Sequence, residues 1–339
     1  NPLAPSTLYA GTMGGMYKST NSGRDWEPIN TGLTNTNIES LAVDPQTPTT
    51  LYAGTWGGGV FKSTNGGDSW SPCITGLTNK NVEALVINPA APATLYAGTP
   101  GGVFKSTDSC TNWAPSNTGL TTLWVSALAI NPQSPGILYA ATNGGGVFKT
   151  TNNGDNWIQT STGLTSLTTR ALVIDPKSTN FLYAGSWGDG VFKSTNSAGN
   201  WSPANTHLAA TYIHALATDP QSPTTVFAGG PDEIGLFKST DSGESWIPSN
   251  TGITAADIRD LAVDPLTSST VYAATEDGVF KSTNSGASWS PANTGLTTIA
   301  VAVLVINPQV PATLYVGTAG GGCVQEHRWC RKLDPYQHW

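Results

Sequence analysis

Residues 51–70, LYAGTWGGGVFKSTNGGDSW, decide how this chain folds. Two apolar runs, LYAGT and GVFKS, are separated by a glycine-rich turn, and a polar turn that ends at Trp70 follows the second run. Short runs rich in Val, Leu, Phe, Tyr and Thr between clusters of Gly and Asn are typical of strands joined by tight turns. The stretch therefore predicts an antiparallel pair of strands followed by a turn into a third.

The same pattern recurs along the chain with a period of about 44 residues. LYAG at 51 returns, with small changes, at 8, 95, 138, 182, 226, 271 and 314, and each period adds a short apolar run such as SLAVDP. Four strands in roughly 40–45 residues form a β-propeller blade, and no 3.6-residue apolar stripe indicates a helix. We label the strands A (SLAVDP type), B (LYAGT type), C (GVFKS type) and D (around the Trp).

The repeats predict an all-β fold, a seven-bladed β-propeller of four-stranded antiparallel blades in residues 1–318. The chain starts at a strand B, so the last strand A, Val301–Ile306, is expected to complete the N-terminal set and remove the open sheet edge. Eight blades, one of them incomplete, are the alternative, because another strand B follows at Thr313–Thr318. Residues 319–339 leave the repeat. When one allowed back-translation of the tail is shifted by one base, it encodes a strand C, a C–D turn and a strand D of the repeat. We therefore interpret this tail as a frameshifted eighth C–D hairpin.

The turn between strands C and D carries the most specific motif, S-x-N/D-x-G-x-x-W. Its Asn or Asp is expected to bind turn amides, its Gly to take a positive φ and its Trp to pack between sheets. Cys110 and Ala198 replace the Gly in two copies. The structural residues of the seven turns are Asn21, Trp26, Asn65, Trp70, Asp108, Trp113, Asn152, Trp157, Asn196, Trp201, Asp241, Trp246, Asn284 and Trp289.

With seven such turns in phase, residues 1 to about 318 resemble the Asp-box (BNR-type) repeat β-propellers. That superfamily includes sialidases, xyloglucanase-type glycosidases, sortilin-like receptors and photosystem II assembly factors. The resemblance implies a β-propeller whose Asp boxes lie on the face opposite the ligand site, and it implies no single activity, since one fold hosts many functions. Together with low charge and a high content of Thr, Ser, Asn and Gly, it predicts an extracellular or periplasmic location.

The composition argues against several classes of binding partner. Charged residues make up 11%, the net charge is −7 and no basic cluster occurs, which argues against nucleic acid. No apolar stretch approaches the ~20 residues that span a bilayer. Cys73 and Cys110 lie at different repeat positions and neither recurs, so the sequence predicts no disulfide framework. Cys323 and Cys330 are poorly spaced for zinc, and we expect no metal and no cofactor.

Residues that vary between blades while facing one surface are the candidates for ligand binding. One ring of them starts the A strands beside the channel, a second ring lies two residues earlier, and the B–C turns lie on the same face. The candidates are Glu39, Glu83, Arg170, His214, Arg259, Trp56, Trp124, Trp187, Tyr212 and Asp257. Aromatic rings stack on sugars and polar groups bind hydroxyls, so this channel-mouth face fits a glycan or a protein. The alternative is a solvated channel with internal ion pairs.

The residues favour a non-enzymatic binding or scaffold module. Sialidase-like chemistry would need an arginine triad, by resemblance, and only Arg170 and Arg259 fall on this face. A glycoside hydrolase that uses Glu39 and Glu83 as paired carboxylates is the alternative, because the A strands of adjacent blades could bring them together. The sequence leaves the oligomeric state and the identity of the ligand open.

Overall fold

A computed structural model of the chain describes residues 8–12, 14–19, 25–231, 235–254, 257–264, 267–294, 296, 300–306 and 314–319. Asn21 of the first C–D turn and residues 320–339 of the predicted tail lie outside these ranges. Every regular element that is described is a β-strand, which confirms the all-β prediction. None of the described residues forms a helix long and apolar enough to cross a bilayer.

The strands form six four-stranded antiparallel blades and two smaller sheets. The first three strands, β1 (Leu8–Thr12), β2 (Gly15–Ser19) and β3 (Glu27–Pro28), form a three-stranded sheet. Blade 1 consists of β4 (Ile38–Val43), β5 (Leu51–Thr55), β6 (Gly59–Ser63) and β7 (Ser71–Pro72), and blade 2 of β8 (Ala84–Ile87), β9 (Leu95–Thr99), β10 (Gly102–Ser106) and β11 (Ala114–Pro115). Blade 3 consists of β12 (Val125–Ile130), β13 (Leu138–Thr142), β14 (Gly146–Thr150) and β15 (Ile158–Gln159), and blade 4 of β16 (Thr169–Ile174), β17 (Leu182–Ser186), β18 (Val191–Ser194) and β19 (Ser202–Pro203). Blade 5 consists of β20 (Ala215–Thr218), β21 (Val226–Gly229), β22 (Leu236–Ser239) and β23 (Ile247–Pro248), and blade 6 of β24 (Ile258–Val263), β25 (Val271–Thr275), β26 (Gly278–Ser282) and β27 (Ser290–Pro291). The last two strands, β28 (Ala300–Ile306) and β29 (Leu314–Ala319), pair only with each other.

The prediction of seven blades, with eight as the alternative, is wrong, because the structure has six. It required β28 to hydrogen-bond with β1 at the other end of the chain. Instead β28 pairs with β29, from Ile306 opposite Leu314 to Ala300 opposite Ala319, with a register shift between Val301 and Leu304. A strand that follows after a few residues has a much lower loop-closure cost than one nearly three hundred residues away. The N-terminal sheet therefore keeps three strands.

The blades pack face to face, with their A strands side by side around the centre and their D strands outermost. Strand B is the most buried, and in blade 1 all five residues from Leu51 to Thr55 are inaccessible to solvent. One apolar cluster joins Tyr52 of blade 1 with Leu85, Leu95 and Phe104 of blade 2. Equivalent clusters between the other blades repeat this arrangement, so the core consists of successive layers between sheets.

The C–D turns have the geometry expected from their motif. In blade 1 the Asn65 side chain accepts a 3.0 Å hydrogen bond from the Ser69 N–H, and Ser63 Oγ accepts one of 2.9 Å from the Gly67 N–H. Matching amide bonds to the Asn or Asp occur in the other five blades. Cys110 and Ala198 have φ of 67° and 66°, the left-handed backbone that Gly adopts elsewhere in these turns.

The Trp that ends each C–D turn connects its blade to the preceding sheet. Trp157 is almost fully buried, and its indole N–H donates a 2.8 Å hydrogen bond to the Ser116 carbonyl of the previous blade. The same bond is made by the Trp of every blade: Trp70, Trp113, Trp201, Trp246 and Trp289. Trp26 of the three-stranded sheet is also buried, although its indole N–H has no partner among the described residues.

A disulfide joins blades 1 and 2, so the prediction of no disulfide framework is wrong. Cys73 follows β7 and Cys110 lies in the C–D turn of blade 2, with a Cα–Cα distance of 5.6 Å. The two cysteines occupy different repeat positions because one end of a D strand touches the neighbouring C–D turn. The two cysteines pair because they are close in space across the boundary between adjacent blades, which an alignment of the repeats does not show.

Candidate functional site

The channel-mouth face is formed where the A strands begin, together with the B–C turns and the D–A loops. In blade 1, Ile38 at the start of β4 pairs with Thr55 at the end of β5, so both lie at the same end of the sheet. The following B–C turn is fixed to the loop that enters blade 2, because Trp56 bridges to Asn81. Trp187 and Tyr212 make the same bridge between blades 4 and 5. The turns and loops thus form one continuous rim.

β-Bulges aim the predicted first-ring residues away from the ladder. The register shifts between Ile38 and Ser40, which places Glu39 in a bulge of β4. Ser126, Arg170 and Arg259 occupy the same bulge in blades 3, 4 and 6. A bulge leaves one residue unpaired and redirects its side chain, which explains how these side chains differ in direction from their strand neighbours. The sequence pattern located this ring but did not predict the bulges.

Glu83, Trp124 and Arg170 come together at blades 2 to 4, and we call them the Trp124 group. The Trp124 indole N–H donates a 2.8 Å hydrogen bond to Glu83 Oε1. The Arg170 guanidinium carbon lies 5.8 Å from the centre of the Trp124 ring, a cation–π distance. A carboxylate therefore holds the edge of the indole while a cation lies over its face.

Trp187, Tyr212, His214, Asp257 and Arg259 come together at blades 4 to 6, and we call them the Tyr212 group. Trp187 meets Tyr212 edge to face at 4.6 Å and stacks on His214 at 5.1 Å. The Arg259 Nε–H donates a 2.9 Å hydrogen bond to Asp257 Oδ2. His214 Nδ1 lies 3.8 Å from the other oxygen, Asp257 Oδ1, which is within ion-pair reach when the imidazole is protonated. Tyr212 is 37% exposed, so the group presents an aromatic surface beside an ion pair.

The carboxyl groups of this face have perturbed pKa values. Burial raises the pKa of Glu83 to about 7, against the opposing effects of the Trp124 hydrogen bond and the Arg170 charge, and the charge of Glu39 raises it further. Burial likewise raises the pKa of Glu39, although the Arg259 charge opposes it. Burial alone would raise the pKa of Asp257, but His214 and Arg259 outweigh it and lower that pKa. Two carboxyl groups with raised pKa values thus lie near two arginines.

The remaining predicted residues are distributed as follows. Trp56 lies on the same face at blade 1, half-buried, and bridges to Asn81, two residues before Glu83. Glu39 senses Arg259 on one side and Glu83 on the other, so it lies between the Tyr212 and Trp124 groups. Ser126, which shares the ring, instead lies with its hydroxyl between the Ala141 and Thr169 carbonyls, within hydrogen-bond distance of both, and is structural.

Sequence reasoning missed Leu123 and Leu167 on this face. They are 44% and 40% exposed, at matching positions of the D–A loops that enter blades 3 and 4. The corresponding positions of blades 1 and 2 are Thr36 and Lys80. A leucine at a loop position that is polar in blades 1, 2 and 5 was the available signal. These side chains give the rim an apolar arc over blades 3 to 5, next to the aromatic residues.

Two clefts lie on the other side of the molecule, between neighbouring C–D turns. One, of 490 Å³, lies between blades 2 and 3 and is lined by Lys105, Asp108, Trp113 and Asp155. The other, of 390 Å³, lies between blades 1 and 2 beside Cys73 and Cys110. Both lie where a D strand meets the neighbouring C–D turn, so we ascribe them to the packing of turns. Within the described ranges, no cluster of three or more His, Cys, Asp or Glu could hold a metal ion.

No protein-family model and no curated protein matches this sequence. Solved structures match the fold. The chain is similar to the GH74 xyloglucanase from Xanthomonas campestris, with 18% identity and a TM-score of 0.74 over 90% of this chain and 55% of that one. It is similar to the GH74 enzyme of Niastella koreensis, with 19% identity and a TM-score of 0.72 over 89% of this chain and 54% of that one. It is also similar to YCF48 bound to D1 peptide, with 16% identity and a TM-score of 0.62 over 80% of this chain and 87% of that one.

These similarities define the class of fold, a β-propeller, and nothing finer at such identities. The chain spans about half the length of the GH74 structures that it matches. It matches most of the length of YCF48. The resemblance to xyloglucanase-type and assembly-factor propellers inferred from the repeats is therefore supported at the level of fold.

Proposed function

We propose that this chain is an Asp-box β-propeller that binds a carbohydrate on its channel-mouth face without turning it over. The Tyr212 group carries the proposal. Its exposed ring rests on a second aromatic residue, Trp187, and lies beside the fixed Asp257–Arg259 pair. A rigid aromatic platform with ordered polar groups suits a sugar, whose apolar face stacks while its hydroxyls form hydrogen bonds.

We also propose a location outside the cytoplasm, extracellular or periplasmic. The Cys73–Cys110 disulfide supports this, because disulfides persist in oxidising compartments and are rare in reducing ones. The test is the redox state of the two cysteines in protein trapped with a thiol-alkylating reagent directly from its native source. Alkylated, reduced cysteines would contradict the proposal.

A glycan screen tests the binding function. Wild-type protein should bind a defined set of neutral or acidic glycans, and Tyr212→Ala should weaken that binding about tenfold through the loss of a stacking ring. The control is Ile158→Ala, which removes a side chain that is 64% exposed on the outer strand of blade 3, far from the channel mouth. Binding to a protein segment but to no glycan, or equal losses in both variants, would contradict the carbohydrate proposal.

A second candidate, a glycoside hydrolase, is favoured by one specific observation. Glu39 and Glu83 lie near enough to interact electrostatically, and both pKa values are raised, as a general acid requires. This candidate predicts release of reducing sugar that is abolished in Glu39→Gln or Glu83→Gln. A glycan that is bound by the wild type yet stays intact after prolonged incubation would instead support the binding module.

A further inference from the structure

Within the described ranges, the Arg170 guanidinium has no directly hydrogen-bonded counter-ion, because the carboxylate that senses its charge, Glu83, accepts a hydrogen bond from Trp124 instead. The residue is half-buried in the bulge of β16, and its described contact is the Trp124 ring, 5.8 Å away. Among the described residues, no hydrogen bond or ion pair engages its N–H groups. A guanidinium presents five donors in a fixed plane, and a half-buried one is stabilised by an anion that accepts two of them.

Arg259 shows how the same bulge is satisfied two blades later. Its Nε–H donates to Asp257, the residue two positions earlier in the chain. In blade 4 the residue two positions before Arg170 is Thr168, which has no charge to offer. The position two residues earlier thus supplies a hydrogen-bonded carboxylate to Arg259 and not to Arg170.

We infer that Arg170 and Trp124 form a subsite for the carboxylate or sulfate group of an acidic sugar. This inference rests on the proposed carbohydrate binding and specifies the class of sugar. The guanidinium would donate two parallel hydrogen bonds to a carboxylate or sulfate, the bidentate geometry that distinguishes arginine from lysine. Leu123 and Leu167, exposed on the adjoining loops, supply apolar surface for the sugar ring.

Glu83 makes the subsite sensitive to pH. It accepts the hydrogen bond of the Trp124 indole, and the charged groups that it faces are Arg170 and Glu39. Because burial raises its pKa to about 7, Glu83 is largely neutral in mildly acidic solution and charged in alkaline solution. A charged Glu83 repels a bound anion, so the affinity for the acidic sugar should fall as the pH rises from 6 to 8.

The test follows the arginine Nε–Hε signals by NMR in protein labelled at arginine. Glucuronic acid is titrated in, with glucose and acetate as separate probes, and the Arg170 signal is assigned by its loss in Arg170→Gln. We expect glucuronic acid to shift the Arg170 signal saturably, and the paired Arg259 signal to stay in place. We expect the affinity for glucuronic acid to fall about fivefold between pH 6 and pH 8 in the wild type, but not in Glu83→Gln. Lys80→Gln, which removes an exposed charge from the same rim, controls for general electrostatics.

Several results would overturn the inference. Equal shifts with glucose and glucuronic acid would show that the site does not recognise the carboxylate. Equal affinities for acetate and glucuronic acid would show that it does not recognise the sugar ring. A fall in glucuronate affinity in Lys80→Gln as large as that in Arg170→Gln would assign the effect to net charge. Neutral glycans that bind through Tyr212 while the Arg170 signal never moves would overturn the acidic subsite and leave the proposed function standing. Failure of every sugar would overturn the proposed function.

Discussion

At the scale of single residues, the C–D turns impose a left-handed backbone at one position whatever side chain fills it. Gly67, Gly154, Gly243 and Gly286 occupy it with φ between 70° and 90°, and Cys110 and Ala198 with φ of 67° and 66°. His207 shows the same effect in the T-G-L turn after strand D, where it replaces Gly and has φ of 61°. The repeated backbone thus tolerates a few non-glycine residues that are locally strained.

Ala198→Gly should stabilise the protein by about 1 kcal/mol, because Gly adopts the left-handed region without the Cβ clash that Ala suffers there. The midpoint of urea unfolding measures the change. The matched control is Gly243→Ala at the same position of blade 5, where a Cβ would meet its nearest neighbour at an ordinary 3.4 Å. That substitution should destabilise by a similar amount, and shifts of the same sign in both variants would contradict the explanation.

Thr169 carries a polar atom in an apolar layer. It begins β16, is 1% exposed, and its hydroxyl has no hydrogen-bond partner among the described residues. The equivalent first residue of β12 is Val125. Thr169→Val should therefore stabilise by about 1 kcal/mol, because it removes the desolvation cost of an unpaired hydroxyl.

Calorimetry of both substitutions would test this explanation. Val125→Thr, which creates the same orphan hydroxyl one blade earlier, should lower the melting temperature as Thr169→Val raises it. A Thr169→Val variant no more stable than the wild type would indicate that water or a shifted rotamer satisfies the hydroxyl.

At the level of elements, a lysine in each of the C strands β2, β6, β10, β14, β18 and β22 connects its sheet to the C–D turn of the next blade. Where that turn has an acidic residue after the Gly position, the lysine forms an ion pair, as Lys105 does with Asp155 at 3.2 Å. Where it has none, the lysine donates to a turn carbonyl, as Lys149 does to Ser197 at 2.9 Å. The two modes alternate from sheet to sheet around the molecule, and the full set of pairs is Lys18–Asp68, Lys62–Ser109, Lys105–Asp155, Lys149–Ser197, Lys193–Glu244 and Lys238–Ser285.

The disulfide is an additional connection that only blades 1 and 2 possess. Reduction should lower the stability of the wild type by about 2–4 kcal/mol, because the bond closes a loop between residues 37 apart in sequence. The measurement is urea unfolding with and without a phosphine reductant. A double variant, Cys73→Ala with Cys110→Gly, should not respond to the reductant, and it regains the residue that the turn prefers. Equal sensitivity of the wild type and the double variant would contradict this role.

At the scale of the whole molecule, the buried carboxyls of the channel mouth should set how stability depends on pH. Glu83 keeps its proton up to a pKa of about 7 in the folded state, whereas in the unfolded chain it loses the proton near its ordinary value of 4.5. Between these pH values the unfolded state binds fewer protons than the folded state, so a rise in pH favours unfolding. We expect the free energy of unfolding to fall by up to about 3 kcal/mol between pH 4.5 and 7 from this group.

The comparison of wild type with Glu83→Gln isolates this effect. The variant cannot titrate at this position and its amide oxygen can still accept from Trp124, so its unfolding free energy should fall less over the same pH range. Urea unfolding at pH 5 and pH 7 measures both slopes. Parallel slopes would show that Glu83 does not titrate with the raised pKa.

Much of the architecture follows from the repeat alone. Strand type, strand order within a blade and the turn chemistry are local, so one stretch such as 51–70 specifies them and the copies confirm them. The candidate residues also follow, because positions that vary between otherwise similar blades stand out. Their gathering into the Trp124 and Tyr212 groups depends on the angle between blades, which no pairwise spacing along the chain encodes.

An all-β propeller built from A–B–C–D sheets follows from the repeat pattern, because hydrogen bonding and burial within one blade involve neighbours along the chain. The number of complete blades, the Cys73–Cys110 bond and the contact of Arg170 with Trp124 emerge only from the three-dimensional packing. Each of these depends on which strand or side chain meets another across a blade boundary. Those meetings are set by competition between local pairing and distant closure, as when β28 pairs with β29 and leaves β1 in a three-stranded sheet.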